Sequence, residues 1–368
     1  MLHNASSQLL WQATLWIGFG TLGITGLLLI ALFGLKLSKQ RKTMREEKFL
    51  SLWQPALMAC ALEDTPPKSL PALRDDEAWL LIKLFVKLQT TLKGDPNQRL
   101  KRLGQQLGCA NMARKMLKSK HRSEKVFGLI TIAYMQEAED WNLLMPYLNQ
   151  SSNTLALYAS LGLLRIDANK AAPLVVTQLL KRQDVDLLTA SSILKPFRKE
   201  LHEALANHIV EVSQQASSLQ NLASTDIRVF EITWLFKVAH ALDMHISTGI
   251  LLPFFHAQQP IDLITGAMRL IKVPDALTAL RKLALHSEWQ IRNQVCVTLA
   301  KMGDASDIPL LTQLMMDSQW WVRYRAAQAL IGSPFITRET LKRLIADLPD
   351  RYARDMAQQV FAERNFES

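Results

Sequence analysis

The side chains able to do chemistry are present in this chain but are not spaced for it. His202 and His208 lie six residues apart, and His240 and His245 five apart. Two imidazoles share one helical face cleanly at a spacing of four. There is no His-Glu-x-x-His, no Gly-x-Ser-x-Gly and no phosphate-loop pattern, so zinc hydrolysis, serine acyl transfer and P-loop chemistry lose their carriers. Glu137, Glu139 and Asp140 could pair carboxylates, but a charge run ahead of Trp141 reads as a solvated helix end. Cys60, Cys109 and Cys296 are isolated and odd in number, without metal or redox spacing. They read as buried thiols in a reducing compartment. Cys109, in a basic setting, is the one nucleophile candidate. The sequence assigns no catalytic residue, no metal and no cofactor.

Gly18-Phe19-Gly20-Thr21-Leu22-Gly23 matches a dinucleotide fingerprint. That motif needs a preceding strand and an open loop where backbone amides meet pyrophosphate. Here it sits in an uncharged run with neither. Gly20, Gly23 and Gly26 read more simply as a small-residue stripe in an apolar helix.

What remains is binding chemistry. Lys36, Lys39, Arg41, Lys42 and Arg45 form one basic cluster. A second runs from Lys93 to Lys125 and contains Arg114, Lys115, Lys118, Lys120 and Arg122. The net charge of +10 is concentrated in these stretches. No Phe, Trp or Tyr occurs between Phe85 and Phe127, so the second patch has no stacking platform for single-stranded nucleic acid. Solvent or anionic lipid headgroups fit better than nucleic acid. Trp321, Tyr324 and Arg325 combine the side chains favoured as anchors at protein interfaces. Trp289 and Trp320 are expected to pack between neighbouring units.

The elements that position these residues begin with an anchor. No charged residue occurs from Asn4 to Leu35, and Leu15–Leu35 supplies the roughly 20 apolar residues that a bilayer-spanning helix requires. The basic cluster that follows predicts a short N-terminus outside and the remainder in the cytoplasm at the inner membrane. A cleavable leader would instead start basic and end at a small-residue cut site.

Downstream the pattern is helical throughout, with turns at Gly, Pro, Asp, Asn and Ser. Trp289-Gln290-Ile291-Arg292 lies over Trp320-Trp321-Val322-Arg323 at an offset of 31. Ser287 then meets Ser318, and Leu277, Leu280 and Leu283 meet Ile308, Leu311 and Leu314. Ser287 and Gln290 fit a capping box. Val126, Leu157 and Leu188 start a second series at the same offset. Helix pairs repeating at this period predict an α-solenoid, each unit burying its apolar face against its neighbours.

On Ile291-Arg292 and Val322-Arg323-Tyr324-Arg325-Ala326-Ala327 the sequence resembles the HEAT-repeat superfamily, in its short-repeat form. The resemblance implies a curved scaffold for other macromolecules, and an Asp-to-Arg ladder between repeats. Asp317 matches the ladder position; His286 stands in the equivalent place one unit earlier. It also implies two alternatives: polyanion binding through the 93–125 patch, or a lyase on a bound chromophore.

The expected organisation is a tail over 1–14, a transmembrane helix over 15–35, a basic helix and Pro-rich linker over 36–74, and repeats over 75–195. Longer or irregular helices follow over 196–260, then HEAT-like repeats over 261–368. The expected function is a membrane-anchored, non-enzymatic scaffold for a membrane-associated protein partner.

Overall fold

The computed structural model describes the backbone of residues 2–62, 70–182, 184–218 and 222–366. The side chains of residues 2–24, 26, 75, 213–218, 222–228 and 364–366 lie outside the described residues, as does the Pro-rich stretch 63–69. The described residues are helical, with no strand. The chain divides into two compact units, Met1–Met135 and Gln136–Ser368.

The first unit holds α1 (Leu2–Leu62), α2 (Ala78–Thr91), α3 (Asp95–Gln106), α4 (Cys109–Leu117) and α5 (Arg122–Met135). The backbone at the glycine motif is helical and forms no open loop. Helix α1 runs without interruption from the uncharged segment through the basic cluster into the core. Phe49, Trp53, Leu57 and Ala61 are buried there, each four residues from the next, so one stripe faces α2 and α3. The rings of Phe49 and Trp53 stack at 5.7 Å. Gly108 links α3 to α4 with φ +68°, a left-handed conformation that costs glycine little. At Gly128 a Cβ would lie 3.0 Å from the Ala113 carbonyl oxygen, so the missing side chain lets α5 pack closely on α4.

The second unit begins with α6 (Trp141–Leu148), α7 (Asn153–Ile166), α8 (Ala168–Lys181) and α9 (Leu187–Leu194). Ser152, Asp167 and Asp186 cap α7, α8 and α9 through their side-chain oxygens, meeting backbone amides that would otherwise lack partners. Then come α10 (Arg198–Ser218), α11 (Leu222–Ala241) and α12 (Thr248–Leu251). The first two of these are 21 and 20 residues long. The second repeat series holds only partly. Leu157 and Leu161 are buried, but Leu188 is 81% exposed.

The C-terminal helices are α13 (Ile261–Leu270), α14 (Leu277–Leu283), α15 (Trp289–Met302), α16 (Ile308–Leu314), α17 (Trp320–Ile331), α18 (Arg338–Ala346) and α19 (Arg351–Phe366). Helices α14 and α16 begin and end 31 residues apart, as the sequence offset requires. Helices α15, α17 and α19 pair with α14, α16 and α18 respectively, and α13, α15, α17 and α19 pack successively on one another. These form two layers. Leu280, Leu283, Leu311, Leu314 and Leu341 of the first layer meet Ile291, Val295, Val322, Ala326 and Ala353 of the second, all buried. The third pair, α18 with α19, extends the repeat beyond the stretch where the sequence pattern is plain.

Among the described residues no helix is long and apolar enough to cross a membrane. Of the span 15–35, the side chains of 15–24 and 26 lie outside the described residues. Within the described part, Leu27, Leu28, Leu29, Ile30, Leu32, Phe33 and Leu35 are 59–72% exposed.

Candidate partner-binding face

Arginine side chains fix the turns that present the second helix layer. Arg292 Nη1 donates to the backbone carbonyls of His286 and Ser287, both at 2.7 Å. Thirty-one residues on, Arg323 Nη1 donates to the carbonyls of Asp317 and Ser318 at 2.8 and 3.1 Å. Arg354, another 31 residues on, reaches the Leu348 carbonyl. Each arginine thus folds back on the turn before its own helix.

Arg292 also crosses to the next repeat. Its Nε and Nη2 donate to Asp317 Oδ2 and Oδ1 at 2.6 and 2.8 Å, a bidentate pair with both side chains largely buried. Burial works to raise the Asp317 pKa, but it is outweighed by hydrogen bonds from Arg292 and the Gln319 amide and by the charges of Arg292 and Arg323. The carboxyl is held below the ordinary range. His286 occupies the matching position without a carboxylate. The residue 31 before Arg292 is Ile261, so an aspartate at 286 would have no arginine to pair with. His286 Nδ1 accepts from the Glu288 amide at 3.0 Å, as Asp317 Oδ1 accepts from Gln319 at 2.8 Å. Its Nε2 lies 3.0 Å from the Ala257 carbonyl. With Nδ1 accepting, Nε2 is the donor, and both ring nitrogens have partners.

The capping box expected from Ser287 and Gln290 does not form. Glu288 is the N-cap residue of α15 and no side chain caps it. His286 and Arg292 hold that turn instead.

With the turns fixed, the first residues of α17 project together. Trp320 stacks on Tyr324 with centroids 5.1 Å apart and planes 9° from parallel. Trp321 meets Trp320 edge-on at 4.6 Å. The Arg325 guanidinium lies 5.8 Å from the Tyr324 ring, and Tyr324 Oη donates to Glu363 Oε2 at 2.8 Å. Trp321 is 52% exposed. Trp320 is 41% exposed, so the expectation that it packs between repeats is not met; stacking one turn apart on Tyr324 keeps it at the surface. Tyr352 of α19, 70% exposed and with Arg323 5.9 Å from its ring, extends the cluster.

The equivalent strip of α15 carries Trp289, Gln290, Asn293 and Gln294, which with Asp262, Thr265 and Arg269 of α13 line a cleft of about 520 Å³. Sequence reasoning missed this cleft. Adding 31 to Gln290, Asn293 and Gln294 gives Trp321, Tyr324 and Arg325, so the repeat offset alone marks the strip.

The basic candidates lie in the first unit. Lys36, Lys39, Arg41, Lys42 and Arg45 are all exposed along α1. Arg45 pairs with Asp76, whose carboxyl it holds below the usual range. Arg114 and Lys115 end α4, Lys118 and Lys120 lie in the following turn, and Arg122 opens α5. Arg114 also donates to Asn111 Oδ1 at 2.9 Å. Cations at the last turn of a helix face the negative end of its dipole, which gives Arg114 and Lys115 a structural reason to be there.

Cys109, the one nucleophile candidate, is placed as a core thiol. Cys109 is fully buried, and desolvation pushes its thiol up to about 12, leaving almost no thiolate at neutral pH. Cys60 and Cys296 are buried as well.

A family model described as HEAT repeats matches residues 263–331. No curated protein matches the chain. A crystal structure of an engineered protein is 13% identical, covering 83% of this chain and 87% of that one, with a TM-score of 0.31; a likeness at that level carries no argument. The ladder, the repeat offset and the family match agree that the C-terminal helices form a HEAT-like solenoid, a helical repeat scaffold.

Proposed function

We propose that the protein is a membrane-anchored, non-enzymatic scaffold that holds a membrane-associated protein partner on the second helix layer of its C-terminal repeats. The observation that carries this reading is the cluster of exposed Trp320, Trp321 and Tyr352 with half-buried Tyr324 and Arg325. Rigid aromatics and arginine dominate binding energy at protein interfaces. The ladder arginines hold the backbone beneath this cluster, so little ordering remains to be done on binding.

The anchor is the uncharged span 15–35. Two things support it: the sequence pattern, and the exposure of Leu27 to Leu35 around the helix. A helix that is apolar all round requires an apolar surrounding. Because α1 is continuous, the first buried core residue, Phe49, lies about 20 Å beyond Leu35 at helical rise. Lys36, Lys39, Arg41 and Lys42 then lie at headgroup level, where each contributes about 1 kcal/mol toward anionic lipid. Arg45 is committed to Asp76. Such tethering raises the local concentration of two molecules that must meet at the bilayer.

Alkaline carbonate extraction of membranes tests the anchor. Full-length chain is expected in the pellet and a chain starting at Lys36 in the supernatant; full-length chain in the supernatant contradicts the reading. Trp321→Ala tests the face: partner recovery from crosslinked membranes should fall while thermal stability changes little. A large loss of stability would show Trp321 to be core.

A further inference from the structure

Within the first unit, the packing brings the two basic clusters to the same end. Where α1 enters the core, Arg45 pairs with Asp76, just ahead of α2, and Glu46 pairs with Lys83 of α2. Helix α5 runs beside α2 in the same direction. Near its start Phe127 meets Trp79 edge-on, with centroids 5.1 Å apart. Farther along, Phe85 of α2 and Met135 of α5 converge on Gly104, where a Cβ would lie 2.7 Å from the Phe85 ring and 3.1 Å from Met135. The turn joining α4 to α5 therefore lies beyond Trp79, on the side where α1 enters. At the opposite end Arg99 Nη1 donates to the Leu62 carbonyl at 3.1 Å, and Asn97 Nδ2 donates to the Gln89 and Leu92 carbonyls, both at 2.9 Å.

Helical rise sets the heights. Arg45 stands about 15 Å beyond Leu35 along α1, and Arg122 stands about 8 Å back from Phe127 toward the same end. The turn thus comes to about 8 Å from the end of the apolar span, and the polar layer of a bilayer is about 5–8 Å deep on each side. Charge is distributed to match. From Cys109 to Met135 the chain carries six Lys or Arg against Glu124 alone. Lys115, Lys118, Lys120 and Arg122 are exposed. The far end carries Lys93 balanced by Asp95. Phe127, the aromatic nearest the turn, is engaged with Trp79, which leaves the patch no ring on which a base could stack.

We propose that the α4–α5 turn is a second membrane contact, in which Lys115, Lys118 and Lys120 lie on the anionic headgroups of the bilayer that holds α1. The first unit is then pinned at two points, which fixes its orientation to the membrane. The inference rests on the anchor reading and adds an orientation that a single helix does not set.

The test reconstitutes full-length protein in vesicles of phosphatidylcholine, alone or with an equal part of phosphatidylserine, carrying a headgroup nitroxide quencher. A fluorophore is attached through His121→Cys in the turn or through Gln98→Cys at the far end, both exposed positions. The native thiols are buried, and parent protein treated identically gives the blank. Strong quenching is expected at position 121 in phosphatidylserine vesicles and little at position 98. At 121 it should fall toward the level at 98 in phosphatidylcholine alone and in high salt. In Lys115→Gln/Lys118→Gln/Lys120→Gln the docked-to-undocked ratio should fall on the order of a hundredfold, with a melting curve that superimposes on the parent.

Equal quenching at the two positions, or quenching at 121 indifferent to phosphatidylserine or to the triple variant, would overturn the proposal. An oligonucleotide that abolishes the quenching at stoichiometric concentration would assign the patch to nucleic acid instead. Chain that floats with the vesicles yet is not quenched at 121 removes the second contact and leaves the anchor standing; chain that does not float removes both.

Discussion

Arg292 grips Asp317 of the following repeat through two hydrogen bonds, of 2.6 and 2.8 Å, while its remaining nitrogen holds the turn that begins its own helix. One side chain therefore fixes both the entry to α15 and the stacking of α17 on it. Removing either partner strands the other in a largely buried site. Asp317→Ala or Arg292→Ala should cost about 3 kcal/mol by chemical denaturation. Arg292→Met with Asp317→Leu should recover much of that, because an apolar pair carries no desolvation penalty. A single variant as stable as the parent would show the ladder to be decorative.

The same pair fixes the acid response. The Asp317 pKa is lowered in the folded protein, so its contribution is fully present above the ordinary carboxylate range and is lost as pH falls through the lowered value. Denaturation midpoints at several pH values should show the parent losing stability below about pH 4. Arg292→Met/Asp317→Leu should lose less over the same interval. Parallel curves would contradict the assignment.

The thiols should be silent. Cys109 and Cys296 are buried and pushed up to about 12, and a thiol reagent at neutral pH should label neither in the folded protein. Both should react once the chain is unfolded in guanidinium, read by mass spectrometry. Rapid native labelling of Cys109 would reopen a nucleophilic role.

Gln89 is a buried polar side chain with nothing to bond. It is 2% exposed in α2, both its carboxamide atoms lack partners, and it opens onto no cleft described here. An unmet buried carboxamide costs about 1–3 kcal/mol. Gln89→Met, similar in shape and apolar, should raise the melting temperature by several degrees. A destabilised variant would mean that the amide is satisfied in solution.

The repeat architecture was legible because it is written in spacing. Helices α14 and α16 have identical lengths at an offset of 31, and Arg292, Arg323 and Arg354 recur at it. The residue-by-residue match fades over α18 and α19, although repeats are expected to 368, because Arg354 follows Tyr352-Ala353 without the Trp that marks its predecessors. Trp320 was misjudged for a related reason. Equivalence to Trp289 says that two residues share a register, but burial depends on neighbours: Tyr324 one turn along supports Trp320 at the surface. The capping box was a local match defeated by a longer reach, since Arg292 and His286 claim the turn. The cleft was hidden because Gln290 and Asn293 are ordinary helix-surface residues until α13 is brought beside them.

The most direct test of the account is a photocrosslinking residue placed at position 321 of the full-length chain in intact membranes. The same residue at Gln313, exposed on the first helix layer, serves as the control. A discrete protein adduct is expected from position 321, in the membrane fraction, and none from position 313. Adducts of equal yield from both positions, or no adduct from position 321, would contradict a scaffold that holds its partner on the aromatic face.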